Sequence, residues 1–142
     1  MLENTGETSQ NIAELRAKAE GEPIASFLEM RLLKFTPGYA KIAMKLKPEH
    51  QNFHGVIFGG MIMAVADQAF AYASNSLAYP SVASQFNIHF VAGAKSGDEL
   101  IAEGHVIRSG RRVGISEITV TNQEGKLIAR ATGTTIPVAK SG

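Results

Sequence analysis

From Met61 to Ser76 the chain is apolar on nearly every side of a helical wheel, with Ala at 64, 66, 69, 71 and 73 and one charge, Asp67. A helix of that kind is a buried one, because any orientation at a surface would leave apolar area in water. Its uninterrupted apolar run, Met61–Ala66, falls far short of the roughly 20 residues that cross a bilayer. No membrane span is expected. The cover for this helix must therefore come from the rest of the molecule.

The flanking sequence has the period of strands. Ala40, Ile42, Met44 and Leu46 alternate with Lys41, Ala43, Lys45 and Lys47, the pattern of a half-buried strand. After Tyr79-Pro80 come four more candidates, Val82–Phe90, Glu99–Arg108, Arg112–Thr121 and Lys126–Ile136. They are joined through Lys95-Ser96-Gly97-Asp98, Ser109-Gly110 and Gln123-Glu124-Gly125, and the last two connectors read as hairpins. Upstream, residues 1–10 are polar and expected to be loose, and Asn11–Glu20 is a short helix candidate. Gly21-Glu22-Pro23 breaks the chain, with Pro23 suited to the first turn of a short helix around Ile24–Phe27. Thr36-Pro37-Gly38 is a turn. The order strand, buried helix, four-strand meander predicts an α+β fold, a curved antiparallel sheet wrapped around one long central helix. At roughly 150 residues per domain, 142 residues make one main domain over 27–142, preceded by a polar segment with short helices over 1–26.

Several function classes drop out. A net charge of +1 without clustered Lys and Arg does not suit a nucleic-acid binder. The chain has no cysteine, which removes disulfides, thiolate metal sites and a cysteine nucleophile and fits a reducing cytoplasm. Met1-Leu2-Glu3-Asn4 has none of the character of a signal peptide. His50, His54, His89 and His105 are not spaced as metal ligands, so neither a metal nor a cofactor is expected. Ser84 lacks the Gly-x-Ser-x-Gly elbow, and no phosphate-binding glycine motif is present.

The segment that carries chemistry is Asn52-Phe53-His54-Gly55-Val56-Ile57-Phe58-Gly59-Gly60, leading to Asp67. Paired glycines at a loop-to-helix junction allow close approach of a ligand. The first amides of a helix have no internal partners and favour an anion, the arrangement of an oxyanion hole. Asp67 follows two turns later, and a charge in so apolar a helix costs free energy unless paired or hydrated. Such positions are often functional. Spacing alone leaves a plainer alternative open: Asp67, Gln68, Ser74 and Asn75 as a solvated stripe, with Gly59-Gly60 serving packing. Similarly, Arg108-Ser109-Gly110-Arg111-Arg112 is either a phosphate-binding turn or a solubilising hairpin tip. Ser84 and Asn87 face a ligand or merely cover a strand; Met61, Met63, Phe70, Phe86 and Phe90 line an acyl channel or fill the core.

Asn52-x-x-Gly55-x-x-Phe58-Gly59-Gly60, six residues, then Asp67 resembles the active-site signature of the hotdog-fold acyl-CoA thioesterases. Ala66–Ser76, Val82-Ala83-Ser84 through Phe90 and the Gly125-Lys126 hairpin resemble the PaaI-like branch, over roughly Phe27 to Val138. PaaI-like members usually carry His where this chain has Phe58, and Phe-Gly-Gly is similar to the YciA-type acyl-CoA hydrolases. The resemblance implies hydrolysis of an acyl-CoA to free acid and CoA. Asp67 would be general base or nucleophile, Gly59 or Gly60 would polarise the carbonyl through a backbone amide, and Asn52 would orient water or hold the carbonyl. Gly55, His54, Phe58 and Ser84 would line the substrate, and Arg108, Arg111 and Arg112 would meet the CoA phosphates. It also implies a homodimer or dimer of dimers, with Asp67 of one subunit facing the Gly-Gly loop of its partner. Two rivals remain: a non-catalytic acyl-CoA-binding or regulatory hotdog protein, and a hotdog hydratase. The hydratase is disfavoured, since such enzymes place a His shortly after the catalytic acid and none lies between His54 and His89.

Overall fold

The computed structural model describes residues 5–139; residues 1–4 and 140–142, including the leading Met1-Leu2-Glu3-Asn4, lie outside the described residues. Six strands form one antiparallel sheet: β1 (Arg31–Thr36), β2 (Tyr39–Lys45), β3 (Ser81–Phe90), β4 (Glu99–Ser109), β5 (Gly114–Thr121) and β6 (Leu127–Pro137). Their spatial order is β1-β2-β4-β5-β6-β3. The helices are α1 (Thr5–Ala19), α2 (Pro23–Leu28) and α3 (Gly59–Leu77), with one 3-10 turn at Pro48–His50. The sheet curls around α3, which is the hotdog arrangement, and the α+β expectation holds.

Two expectations about the strands are corrected. The chain enters α3 from a two-strand hairpin rather than from one strand, because β1 pairs with β2 through the Thr36-Pro37-Gly38 turn. The period of two that sets in from Leu28 belongs to a strand of its own, β1, an edge strand with a register shift between Leu32 and Lys34, in which only Phe35 is buried. The four later strands are also not a simple meander. β3 pairs with β6, from Ser81↔Pro137 to Phe90↔Ala129, while β4 pairs with β2, from Tyr39↔His105 to Lys45↔Glu99. The Lys95–Asp98 turn sets this crossover. The Leu46 amide donates to the Asp98 carbonyl and the Gly97 amide to the Leu46 carbonyl, both at 2.8 Å, so β4 starts beside β2.

α1 starts earlier than expected, at Thr5, within the stretch expected to be loose. Glu7 in its first turn and Arg16 and Lys18 in its last match the helix dipole. Thr8 and Asn11 are buried, the latter donating to the Ser76 carbonyl of α3. α2 crosses the expected domain boundary at residue 27.

The core forms where Val65, Ala66, Ala69, Phe70 and Ala73 of α3 meet Ile42, Met44, Leu100, Ala102, Ile118 and Val120 of the sheet. Gly104 allows a close backbone approach: a Cβ there would lie 2.7 Å from the Ala69 carbonyl oxygen, so any larger residue at that position would push the helix off the sheet. Contrary to the all-round burial read from composition, α3 keeps an open stripe. Met63 and Asp67 are exposed, and Gly60, Ala64 and Ala71 only half-buried, because one curled sheet covers one side of a helix. No helix among the described residues is long and apolar enough to cross a membrane.

Candidate active site

The loop into α3 is built by its own polar groups. An isolated bridge, Gln51↔Ile57, closes it, and Gly55 takes φ +78°, a conformation that favours glycine. The Asn52 amide donates to the Val56 carbonyl at 2.8 Å, and the Gly55 amide to the Asn52 carbonyl at 2.9 Å. The side-chain oxygen of Asn52 accepts from the His54 amide at 2.9 Å and the Val56 amide at 3.4 Å, an Asx turn. That oxygen is thus occupied inside the loop. The Asn52 Nδ2 has no acceptor among the described residues and is the group free to act outward. His54 is exposed, its ring against that of Phe53 at 4.1 Å between centroids.

Phe58 then delivers the chain into α3. Its amide donates to the His50 carbonyl at 2.9 Å, and it caps the helix in extended conformation with no side-chain bond. The Met61 amide reaches the Phe58 carbonyl; those of Gly59 and Gly60 donate to nothing among the described residues. The glycines also serve packing. A Cβ at Gly60 would overlap the Phe58 ring, and one at Gly59 would come 3.2 Å from the Phe90 ring of β3. Close packing and free amides therefore coincide here.

Asp67 lies seven residues beyond Gly60, so it shares that helix face at roughly 10 Å along the axis. It makes no hydrogen bond or ion pair among the described residues. Surrounding protein raises its carboxyl above the ordinary 3.8 by desolvation, although the side chain is exposed. The two facts are compatible: neighbours exclude water on the helix side while one direction stays open.

The solvated-stripe alternative does not survive. Ser74 is buried and donates to the Phe70 carbonyl at 2.7 Å. Asn75 donates to the Ala71 carbonyl at 2.8 Å and accepts from the Ser81 amide at 2.7 Å. Gln68 donates to Glu22 Oε1 at 2.7 Å, and the Tyr72 hydroxyl donates to the same oxygen at 2.8 Å. Burial, then that Glu22 bond, pushes the Tyr72 phenol upward. Of the four expected stripe residues, Asp67 alone has no partner among the described residues.

The remaining candidates separate in space. Ser84 occupies the register shift between Ala83 and Gln85 on β3, its hydroxyl donating to the Thr134 carbonyl at 3.4 Å. Asn87 pairs with Thr132 and lines an outer recess with His89 and Arg130. Phe70 and Phe86 pack against each other at 5.7 Å between ring centroids. Arg108, Arg111 and Arg112 surround a recess of about 360 Å³, near Ser74 and Ala78 at the end of α3. Nineteen residues make a helix of roughly 28 Å, so within one chain this recess and the Gly-Gly loop lie at opposite ends. A further groove, of about 520 Å³, runs from Asn52, Phe58 and Met61 to Phe27 and Leu28 of α2. Nothing in the local pattern pointed to α2, which is remote in sequence and joins the site only by folding.

Residues 54–129, more than half of the chain, match the model of the thioesterase superfamily. The acyl-coenzyme A thioesterase PaaI of Escherichia coli is 33% identical over 113 residues, 80% of this chain and 81% of that protein. The structure of the E. coli PaaI protein from the phenylacetic acid degradation operon superposes with a TM-score of 0.87 at 29% identity, covering 96% of this chain and 97% of that one. A Streptococcus mutans protein bound to acetyl-CoA superposes with a TM-score of 0.75 at 27% identity, covering 80% and 91%.

Proposed function

The chain belongs to the thioesterase superfamily, and we propose that it hydrolyses acyl-CoA thioesters at a site shared between two copies of itself. As an acyl-CoA thioesterase it releases a free acid and CoA. The observation that carries the residue assignment is the isolation of Asp67, the one polar side chain on the open face of α3 that no other group among the described residues engages.

In the proposed reaction, Asp67 takes a proton from water as the water oxygen attacks the thioester carbonyl. The carbonyl oxygen gains charge in the tetrahedral intermediate and is met by the unpaired amides of Gly59 and Gly60, helped by Asn52 Nδ2. The C–S bond then breaks, and the thiolate takes up the proton. A variant of the same chemistry has Asp67 attack the carbonyl directly, giving an anhydride that water opens. Desolvation favours either role, since it makes the carboxylate a stronger base.

Geometry supports a shared site. The Gly60 amide and Asp67 of one chain are roughly 10 Å apart along α3, too far to straddle one carbonyl at hydrogen-bond distances. The Arg108–Arg112 recess, our candidate for the CoA phosphates, is farther still. A second copy across the open stripe, paired along the exposed edge strand β3, would bring these parts together. We therefore infer a homodimer or dimer of dimers, and from the cysteine-free composition a cytoplasmic setting.

Asp67→Asn and Asp67→Ala, assayed with a panel of acyl-CoAs and a thiol-reactive dye, should lose at least about 100-fold in turnover. Rates near wild type in both would reject the assignment. Co-expressed Asp67→Asn and Asn52→Ala copies should regain activity, because a mixed dimer holds one intact site; no recovery would reject the shared site.

A further inference from the structure

We propose that the groove between α2 and the loop before α3 receives the acyl group, with Phe27 as a specificity-determining residue on a wall that Glu22 holds in place. This rests on the reading of Gly59, Gly60 and Asp67 given above. The lining of the groove includes Asn52, Phe58 and Met61, and Phe58 and Met61 flank Gly59 and Gly60 in the chain, so a carbonyl held by those amides would lie near the groove. Its apolar surface comes from Phe27, Leu28, Phe58 and Met61. Phe27 is 79% exposed, a large apolar side chain left uncovered by its own chain.

Charge separates the two ends of the substrate. Glu49 lines the groove, and its Lys47 is paired with Glu29 at 2.5 Å, so the groove offers little to a multiply anionic nucleotide. The three arginines of the 108–112 loop do. The volume of about 520 Å³ falls among pockets that take sizeable organic groups, well beyond what an acetyl group fills. The occupant is therefore an apolar acyl group larger than acetyl.

α2 is six residues long with no side-chain cap at its N-terminus, too short to hold its own shape in water. It is anchored at both ends. Glu22 accepts from Gln68 and Tyr72 of α3, and Glu29, in left-handed conformation at the C-terminus, meets Lys47. Phe27 sits between these anchors. Glu22 is thus a positioning residue, tying the acyl wall to the helix turn that follows Asp67.

The test measures kcat/KM of the full chain for acetyl-, hexanoyl- and decanoyl-CoA in Phe27→Ala, Glu22→Ala, Glu22→Gln and Asp67→Asn. Phe27→Ala should lower the hexanoyl-to-acetyl ratio about tenfold, mainly through KM, the scale of one methylene contact in an apolar pocket. Glu22→Ala should shift the ratio in the same direction, and Glu22→Gln, which keeps an oxygen acceptor, should restore it. Equal changes across the three substrates, or none, would overturn the proposal; so would a Phe27→Ala change in oligomeric state with an unaltered ratio, since the groove would then be covered by a second copy. Asp67→Asn keeps the two readings distinct. If it is inactive while the ratio is flat in Phe27→Ala, only the acyl groove fails; if it remains active, the catalytic assignment fails.

Discussion

Two aspartates in this molecule have opposite fates. Asp98 is 4% exposed; its carboxylate accepts from the Lys95 amide at 3.0 Å and from Gln123 Nε2 at 3.1 Å. Those bonds, the Lys95 amide foremost, hold its carboxyl below the usual range. Asp67 opens to solvent in a far more apolar setting, has no partner among the described residues, and has its carboxyl raised by desolvation. The turn uses its charge to place β4; the helix keeps its charge unspent. A carboxylate satisfied by the fold is a structural device, whereas one left unsatisfied on an open apolar face is available for chemistry.

The largest effect expected from this contrast is on rate. Asp67→Asn should lose about 100-fold or more in kcat while its melting temperature stays equal to or above wild type, since an uncompensated desolvated charge is removed. A drop in stability instead would make Asp67 a structural residue like Asp98. Next comes the mirror experiment. Asp98→Ala should cost about 1–3 kcal/mol, as removing a bonded buried group does, with kcat per folded molecule unchanged; chemical denaturation alongside the thioesterase assay reads both.

Acid titration should separate the two with opposite signs. The depressed Asp98 contributes stability that is present above its unfolded pKa and lost as pH falls through the lower folded one. The raised Asp67 does the reverse: stability declines as pH rises from its unfolded pKa to its folded one. In the proposed mechanism Asp67 acts in its ionised form, so the acid limb of kcat/KM should lie above the ordinary carboxylate value of 3.8 and be absent from residual activity in Asp67→Asn. A limb at or below that value would break the link between desolvation and basicity. The smallest effect concerns the exposed 108–112 loop. Arg111→Ala or Arg112→Ala should raise KM by no more than about fivefold, the scale of an exposed ion pair, and added salt should shrink the difference. A KM unmoved at low salt would return this loop to a solubilising hairpin tip.

Much of the fold was legible locally. Alternation placed β2, β3, β4, β5 and β6, and the apolar run placed α3, because side-chain periodicity is a property of consecutive residues. Edge strand β1 was left out of the strand order, because its exposed face and register shift at Leu32/Lys34 blur the period of two that begins at Leu28. The order of strands was hidden too, since β3 chooses β6 over β4 through contacts far apart in the chain. At the candidate site, Gly59, Gly60 and Asp67 stood out by type and spacing and Asn52 by resemblance, but Phe27 and Glu22 did not.

The sequence by itself determined that one charge would sit in an apolar helix, seven residues after a Gly-Gly junction, and that resemblance reached the right family. It did so because helix period and residue chemistry are local. Only the tertiary structure decided that Gln68, Ser74 and Asn75 are engaged while Asp67 is not, that Asn52 spends its oxygen on its own loop, and that α2 closes one side of a groove. Those outcomes depend on which partners remain within hydrogen-bond reach once distant segments have packed, and no reading of neighbouring residues contains that information.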